Sequence, residues 1–95
     1  MIDLDEKYIY FIKKTFNEHL TEYKLYLFGS RAKGNAKKYS DIDLAIDSKN
    51  FNSEIKSKLE SFFSNSTIPF EIDIIDLNNI NDQFKQLIKN DLIEI

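Results

Sequence analysis

Three rare residues of this chain lie together in one short segment. Both glycines, Gly29 and Gly34, and the only arginine, Arg31, fall within six consecutive residues directly after a predicted strand. Glycine lets backbone N–H groups approach a ligand closely, and a helical turn that begins at Ser30 would direct further N–H donors at phosphate oxygens. The segment therefore predicts a triphosphate-binding loop, although a Gly-Ser pair after a strand is by itself often a plain turn.

Acidic residues at strand spacing add a second half to this pattern. Asp41 and Asp43 are two residues apart on a predicted strand, so their carboxylates project from one face and can share hard cations such as Mg²⁺. An isolated Asp-x-Asp is more often the solvated face of an edge strand. A third acid, Asp73, lies on a later strand with the same alternation. If the two strands are neighbours, three carboxylates face the loop and favour a two-metal site.

Such a site predicts chemistry at the α-phosphorus of a bound triphosphate. Two cations about 3.5–4 Å apart would bridge the triphosphate and stabilise both the attacking and the leaving oxygen. We expect Asp41 and Asp43 to bind both ions. Asp73 would bind only the ion near the acceptor and help to deprotonate the attacking hydroxyl.

Apolar periodicity predicts the elements that must position these residues. A 3.6-residue period indicates helices, and alternation indicates strands with one face in the core. In chain order, the predicted elements are a helix over 3–20, a strand over 24–28, a loop with a helical turn over 29–40, a strand over 42–46, a helix capped by Asn52 or Ser53, a strand over 70–75 and a helix capped by Asn81. The tail, 91–95, either adds a short edge strand or trails off. The predicted fold is α/β (α+β), a single domain over 1–95 whose mixed sheet has helices packed on one face and an exposed acidic face.

Composition excludes several classes of function. The chain has no cysteine, which excludes zinc ribbons, thiol nucleophiles and disulfide scaffolds. A net charge of -3 argues against broad binding to nucleic acid, which needs clustered Lys and Arg in excess. The N-terminal residues lack the apolar core of a signal peptide, and no apolar run reaches about 18 residues. We therefore expect a cytoplasmic protein with no membrane association.

Segments 27–34 and 40–44 together resemble the minimal nucleotidyltransferase family of the DNA polymerase beta superfamily. The signature of that family is a Gly-Ser pair, about ten intervening residues, an Asp-x-Asp and a later Asp on a strand. Ten residues separate Ser30 from Asp41 here, and Asp73 matches the third carboxylate. Lys33 stands where family members commonly have arginine, which keeps the positive charge. The resemblance covers most of the chain, and every expected carboxylate is present.

The resemblance implies an enzyme that transfers AMP from ATP, with two Mg²⁺ ions, to a hydroxyl acceptor and releases pyrophosphate. Small stand-alone members of the family typically pair with a helical HEPN protein. This implies the antitoxin of a HEPN/MNT toxin–antitoxin pair, which adenylylates its partner. Because 95 residues leave no room for an acceptor-binding domain, we expect another molecule to hold the acceptor. Two alternatives stay open: stoichiometric masking of a HEPN partner without catalysis, and nucleotidylation of a small molecule such as an antibiotic.

Several other polar residues are assigned no part in catalysis. His19 ends the first predicted helix and is interpreted as a surface or capping residue. Asp76 has the opposite parity to the third carboxylate and is assigned to a turn. Asp47, Lys37 and Lys38 are assigned to solvated positions.

Overall fold

Four strands form one mixed sheet, and their order decides which acids become neighbours. The computed structural model describes residues 2–95. Its strands are β1 (Lys24–Phe28), β2 (Ile42–Asp47), β3 (Ile72–Asp76) and β4 (Ile93–Glu94), in the spatial order β3-β2-β1-β4. β1 pairs antiparallel with both β2 and β4, whereas β2 and β3 are parallel. The tail of the chain thus forms an edge strand, one of the two outcomes that the sequence left open.

Two of the helices begin at capping residues that the sequence indicated, whereas the first begins at Glu6 instead of residue 3. The helices are α1 (Glu6–His19), α2 (Ser30–Lys33), α3 (Ser53–Ser64) and α4 (Asp82–Ile88), with a 3₁₀ turn at Lys89–Asp91. The side chain of Asn52 accepts a hydrogen bond from Ile55 N at 2.9 Å, and that of Asn81 accepts one from Phe84 N at 2.8 Å. Both bonds satisfy N–H groups that a first helical turn cannot pair internally.

The main core lies between one face of the sheet and the helices α1 and α3. Its largest members have at most 5% of their surface exposed: Ile12, Phe16, Leu25, Leu27, Ile42, Leu44, Ile46, Leu59, Phe63 and Ile74. Phe62 of α3 could be expected to join Phe63 in the core as an apolar aromatic residue, but 43% of its surface is exposed. Successive helical residues point about 100° apart, and Phe63 takes the core position while Phe62 stacks on Phe11.

A second, smaller cluster corrects the expectation that all helices pack on one face. Ala45 of β2 is fully buried with Leu77 and with Ile88 of α4, and Phe84 packs against them. These residues lie on the sheet face opposite to the main core, because Ala45 alternates with the core residues of its strand. Apolar side chains on this second face, such as Ile75, explain why α4 covers it. The mixed α/β architecture itself is confirmed.

The boundaries of β3 also differ from the prediction. The strand begins at Ile72 instead of Phe70, so Pro69 and Phe70 belong to the preceding loop. Within residues 2–95, no helix has both the length and the apolar character needed to cross a membrane.

Candidate active site

The backbone at Gly29 adopts a conformation that brings the loop after β1 against an acid. Gly29 has φ 76° and ψ −159°, a region that side chains other than hydrogen rarely tolerate. A Cβ built on Gly29 would overlap Oδ2 of Asp43 and lie 3.3 Å from its Cγ. Glycine is therefore required here for two reasons, the backbone angle and the close approach of the Asp43 carboxylate.

The α2 turn leaves N–H groups available for an anion. The carbonyl oxygen of Gly29 accepts hydrogen bonds from Ala32 N and Lys33 N, both at 3.1 Å. Ser30 and Arg31, which precede those donors in the first turn, have no carbonyl acceptor within their own helix. The helical turn begins at Ser30, as the sequence predicts, and phosphate binding by this turn stays a prediction.

The sheet brings two of the three predicted carboxylates side by side. In the parallel register of β2 and β3, Asp43 lies directly opposite Asp73. Asp41 immediately precedes β2, two residues before Asp43 and therefore on the same side of the strand. Asp43 is half-buried, whereas Asp41 and Asp73 are exposed. The neighbouring strands on which the sequence argument depended are thus present.

Crowding of the acids changes the ionisation of Asp43. Burial raises the pKa of Asp43 above its ordinary value, and the negative charges of Asp73 and then Asp41 raise it further. Asp73 and Asp41 thus lie near enough to Asp43 for their charges to influence it. The ionised form of Asp43 is therefore destabilised in the folded protein unless positive charge is supplied nearby.

The donor chemistry of this acidic group fits a hard cation. Carboxylate oxygens are the ligands that Mg²⁺ prefers, and Asp43 with Asp41 and Asp73 supplies up to six of them. The three side chains are adjacent, but they do not point at one common position. Between residues 2 and 95, no group of three or more His, Cys, Asp or Glu is arranged as a metal-binding cluster. Asp41 and Asp73 are exposed, so their side chains have the freedom to converge.

The side chain of Arg31, which belongs to the predicted triphosphate-binding loop, is buried within the protein. Its side chain is 5% exposed, with Nε donating to Ser40 O at 3.0 Å and Nη1 donating to Asp3 O at 2.9 Å. The guanidinium also stacks over the ring of Phe70, 4.1 Å from its centroid. Two of its donors are thus used by main-chain carbonyls, and the guanidinium ties α2 to the residue before Asp41 and to the loop before β3.

Sequence reasoning missed Ser40 and Phe70 as partners of Arg31. A single buried arginine requires acceptors, but the acceptors here are main-chain carbonyls and carry no sequence signal. The only available signal was the position of Ser40 directly before the first carboxylate.

Among the residues left out of catalysis, Asp76 has the predicted turn role, since its Oδ1 accepts a hydrogen bond from Asn78 N at 3.0 Å. His19, interpreted as a surface or capping residue, lies at the end of α1, where its Nδ1 is 2.9 Å from Thr15 O.

The packing of Arg31 predicts a loss of stability on a charge-conserving substitution. Lysine cannot reach two carbonyls and stack on Phe70 at the same time. We expect Arg31→Lys to lower the free energy of unfolding by about 1.5–3 kcal/mol, the value of hydrogen bonds to a charged group. Urea denaturation measures this change. The matched control is Lys33→Arg on the same turn, whose exposed side chain should tolerate the change within about 0.5 kcal/mol. If Arg31→Lys left the free energy of unfolding unchanged and weakened ATP binding, the guanidinium would bind the nucleotide and would not stabilise the loop.

The raised pKa of Asp43 predicts the direction of a pH effect in metal-free protein. The pKa lies above the unfolded value of 3.8, so between the two values the folded state binds the proton more tightly. The contribution of Asp43 to the free energy of unfolding is therefore largest below pH 3.8 and is lost as the pH rises through the folded pKa. We expect Asp43→Asn to melt at a higher temperature than the parent at neutral pH, in the presence of a chelator.

The control for the pH effect is Asp47→Asn, an exposed acid on the same strand. This control should leave the difference between acid and neutral melting temperatures unchanged. If Asp43→Asn melted below the parent at neutral pH, the carboxylate would be stabilising the fold through its contacts, and its interpretation as a functional group would be wrong.

Comparison with known proteins shows the family of this chain. The family model described as "Polymerase beta, Nucleotidyltransferase" matches residues 11–95. Among curated proteins, the chain is 33% identical over 89 residues to "Probable protein adenylyltransferase MntA" of Haemophilus influenzae, covering 93% of this chain and 78% of that relative.

Solved structures share the fold at lower identity. A crystal structure of a toxin–antitoxin with AMP-PNP superposes with a TM-score of 0.76 at 22% identity, over 96% of this chain and 72% of that one. A structure of a tri-AMPylated Shewanella oneidensis HEPN toxin in complex with MNT antitoxin gives a TM-score of 0.69 at 20% identity, over 90% and 66% of the two chains. With the Gly-Ser turn set against adjacent aspartates and a family match over most of its length, the chain belongs to the polymerase beta nucleotidyltransferase family, as a minimal nucleotidyltransferase.

Proposed function

We propose that this protein transfers AMP from ATP, with Mg²⁺, to a hydroxyl group of a HEPN-type protein and acts as the antitoxin of that partner. The observation that carries the proposal is the position of Asp43, which lies opposite Asp73 in the sheet and directly against Gly29. A loop that binds phosphate and acids that bind cations are thus in contact. This arrangement supports catalysis at the phosphate nearest the nucleoside.

The proposed reaction is an in-line substitution at the α-phosphorus. The acceptor oxygen forms a bond to the α-phosphorus while the bond from that phosphorus to the oxygen of the β-phosphate breaks, and pyrophosphate leaves with the bonding electrons. The hydroxyl proton passes to the carboxylate of Asp73. Bound Mg²⁺ would supply the positive charge that stabilises the attacking and leaving oxygens.

Each residue of the site has a defined task in this proposal. The N–H groups at Ser30 and Arg31 bind and orient the triphosphate. Asp41 and Asp43 hold Mg²⁺, and Asp43 also fixes the position of the Gly29 loop through their contact. Asp73, exposed at the sheet edge, faces the acceptor. The side chain of Arg31 is assigned to the architecture of the loop instead of the nucleotide.

The choice of a protein acceptor is supported by the relatives. The relative from Haemophilus influenzae is named "Probable protein adenylyltransferase MntA", and it is similar over 93% of this chain. One structural neighbour is a toxin–antitoxin with AMP-PNP, and another contains a tri-AMPylated HEPN toxin with its MNT antitoxin. These relatives favour a HEPN partner over a small-molecule acceptor such as an antibiotic.

The test is incubation of the protein with α-labelled ATP, Mg²⁺ and the HEPN-type protein of a neighbouring reading frame. We expect label on the HEPN protein, none on aminoglycosides, and none when Mg²⁺ is chelated. Suppression of toxicity by the Asp41→Asn, Asp43→Asn double variant distinguishes catalysis from masking. If the double variant suppresses toxicity as well as the parent does, the partner is neutralised by stoichiometric binding and the catalytic proposal is wrong.

A further inference from the structure

The buried guanidinium of Arg31 contacts three segments that lie outside the helices and strands. Its Nη1 donates to Asp3 O at 2.9 Å in the segment before α1, and Asp3 N in turn donates to Arg31 O at 2.6 Å. Its Nε donates to Ser40 O at 3.0 Å in the loop before β2. Its Cζ lies over the ring of Phe70, 4.1 Å from the centroid, in the loop before β3. One side chain therefore links the segments that precede three different elements.

The contact with Ser40 holds the backbone that carries the first acid. The carbonyl of Ser40 belongs to the planar peptide bond between Ser40 and Asp41, so a partner that holds this oxygen also orients the N–H of Asp41. The turn before it is closed by Ser40 N, which donates to Lys37 O at 3.1 Å, and by Lys37 N, which donates to Ser40 Oγ at 2.8 Å. On the other side of Asp41, Ile42 N donates to Glu71 O at 2.8 Å. The side chain of Asp41 is exposed, but its backbone is held on both sides.

The contact with Phe70 extends the same support to the strand of the third acid. Phe70 lies three residues before Asp73. Its ring also packs edge-on against Tyr8 of α1, with the ring centroids 5.4 Å apart. The ring therefore has a fixed position, and the guanidinium rests on it. Arg31 thus supports the chain shortly before both exposed acids, Asp41 and Asp73.

One nitrogen of this guanidinium has no hydrogen bond. Nη2 of Arg31 is buried and has no partner among residues 2–95. A buried donor without an acceptor costs stability, which offsets part of what the two hydrogen bonds of the side chain contribute. Proteins accept such costs mainly at functional sites. The unpaired nitrogen therefore favours a role for Arg31 in the site in addition to its role in stability.

We propose that Arg31 is a positioning residue for the metal site. It holds the backbone that precedes the two exposed acids, Asp41 and Asp73, so that their carboxylates can converge on Mg²⁺. The guanidinium acts through its contacts with Ser40 and Phe70 instead of through the nucleotide. The proposal rests on the function proposed above and deepens it. Residues that orient metal ligands typically change the metal affinity about 10–100-fold when they are replaced.

Lysine at position 31 would keep the charge but lose the geometry. An ammonium group on a flexible stem cannot bond two carbonyls and stack on Phe70 at the same time. The peptide bond before Asp41 then gains freedom, and ordering it again on metal binding costs conformational entropy. We therefore expect Arg31→Lys to bind a metal ion about tenfold to a hundredfold more weakly than the parent.

The test is a titration with Mn²⁺, which takes the same oxygen ligands as Mg²⁺, in the absence of nucleotide. Electron paramagnetic resonance of the free ion measures the affinity, and the Asp41→Asn, Asp43→Asn variant gives the background. A second measurement is ATP binding at saturating Mg²⁺. Saturating Mg²⁺ should restore the ATP affinity of Arg31→Lys, because the ligands themselves are intact. If Mg²⁺ did not restore it, Arg31 would contact the nucleotide and the proposal would be wrong.

Hydrogen exchange gives a readout that is independent of metal. Ser40 N and Ile42 N, on either side of Asp41, both donate to main-chain carbonyls. In Arg31→Lys these two amides should exchange faster relative to the amides of α3. Unchanged relative exchange at both amides would show that the backbone at Asp41 is held without the guanidinium, which contradicts the proposal.

The matched control is Ile46→Ala, which opens a cavity in the core at the opposite end of β2 and destabilises the domain. It should keep the Mn²⁺ affinity of the parent. If the control lost as much affinity as Arg31→Lys, the effect would be general loosening. If Arg31→Lys kept the affinity of the parent, the acids would be placed without it. Either result overturns the proposal.

A second variant keeps the test decisive if Arg31→Lys does not fold. Phe70→Leu removes the aromatic face under the guanidinium and leaves both carbonyl contacts of Arg31 in place. It should weaken Mn²⁺ binding in the same direction and to a smaller extent. Parent-like Mn²⁺ affinity in a folded Phe70→Leu variant would count against the proposal.

Failure of this proposal and failure of the proposed function give different results. If a HEPN protein receives AMP while Arg31→Lys keeps the Mn²⁺ affinity of the parent, the function stands and the role assigned to Arg31 is wrong. If Arg31→Lys loses Mn²⁺ affinity as expected but no protein receives AMP, Arg31 positions a metal site and the function proposed above is wrong.

Discussion

Neutralising the Asp-x-Asp pair is expected to abolish AMP transfer while the domain stays folded. A metal ion at such a site lowers the free energy of the transition state by several kcal/mol, because it stabilises the charge that develops there. Each reduction of about 1.36 kcal/mol in the activation free energy raises the rate tenfold. The Asp41→Asn, Asp43→Asn variant should therefore lower kcat/KM by at least about three orders of magnitude. Release of pyrophosphate in the presence of the HEPN partner measures the rate, and calorimetry with ATP and Mg²⁺ measures the associated loss of affinity.

The control for this prediction separates a lost metal from a changed surface charge. Asp47→Asn removes a carboxylate from the other end of the same strand, where the exposed side chain accepts a hydrogen bond from Asn78 Nδ2. It should keep the activity of the parent. Unchanged ATP affinity and rate in the double variant would contradict the assignment of the site, and unfolding of the double variant would show that the acids are structural.

Addition of one methyl group at Gly29 is expected to damage both stability and activity. Alanine is strained at φ 76°, ψ −159°, which costs about 1–3 kcal/mol of unfolding free energy. Its Cβ would also occupy the position of Oδ2 of Asp43, so the carboxylate must move. Because misplacement of a reacting group by about 1 Å can cost about a hundredfold in rate, we expect Gly29→Ala to lower kcat about a hundredfold.

Gly34 offers a matched control for the effect of backbone strain. It also has a positive φ, 78°, at the end of α2, but a Cβ there makes no contact with Asp43. Gly34→Ala should lose stability by about 1 kcal/mol and keep most of the transfer rate. If both glycine variants lost rate to the same degree, loop strain and not displacement of Asp43 would explain the effect.

Local sequence determined the parts of this protein that depend on near neighbours. Asn52 and Asn81 cap helices because a short polar side chain can bond the N–H groups of the next turn without help from the rest of the fold. The alternation of Ile42 and Leu44 with Asp43 predicted which face of β2 meets the main core. The Gly-Ser pair after a strand, followed by Asp-x-Asp, predicts the site residues because their spacing along the chain is itself the signal.

Tertiary structure decided which of these residues meet. Asp43 and Asp73 become neighbours only because β2 and β3 pair in parallel, and strand order is not contained in the alternation of either strand. Two further features could not be read from the sequence. Arg31 is bound by main-chain carbonyls that carry no residue identity. A groove between α3 and the start of β3 brings Glu60 beside Glu71, acids that look like ordinary solvated residues until packing places them together.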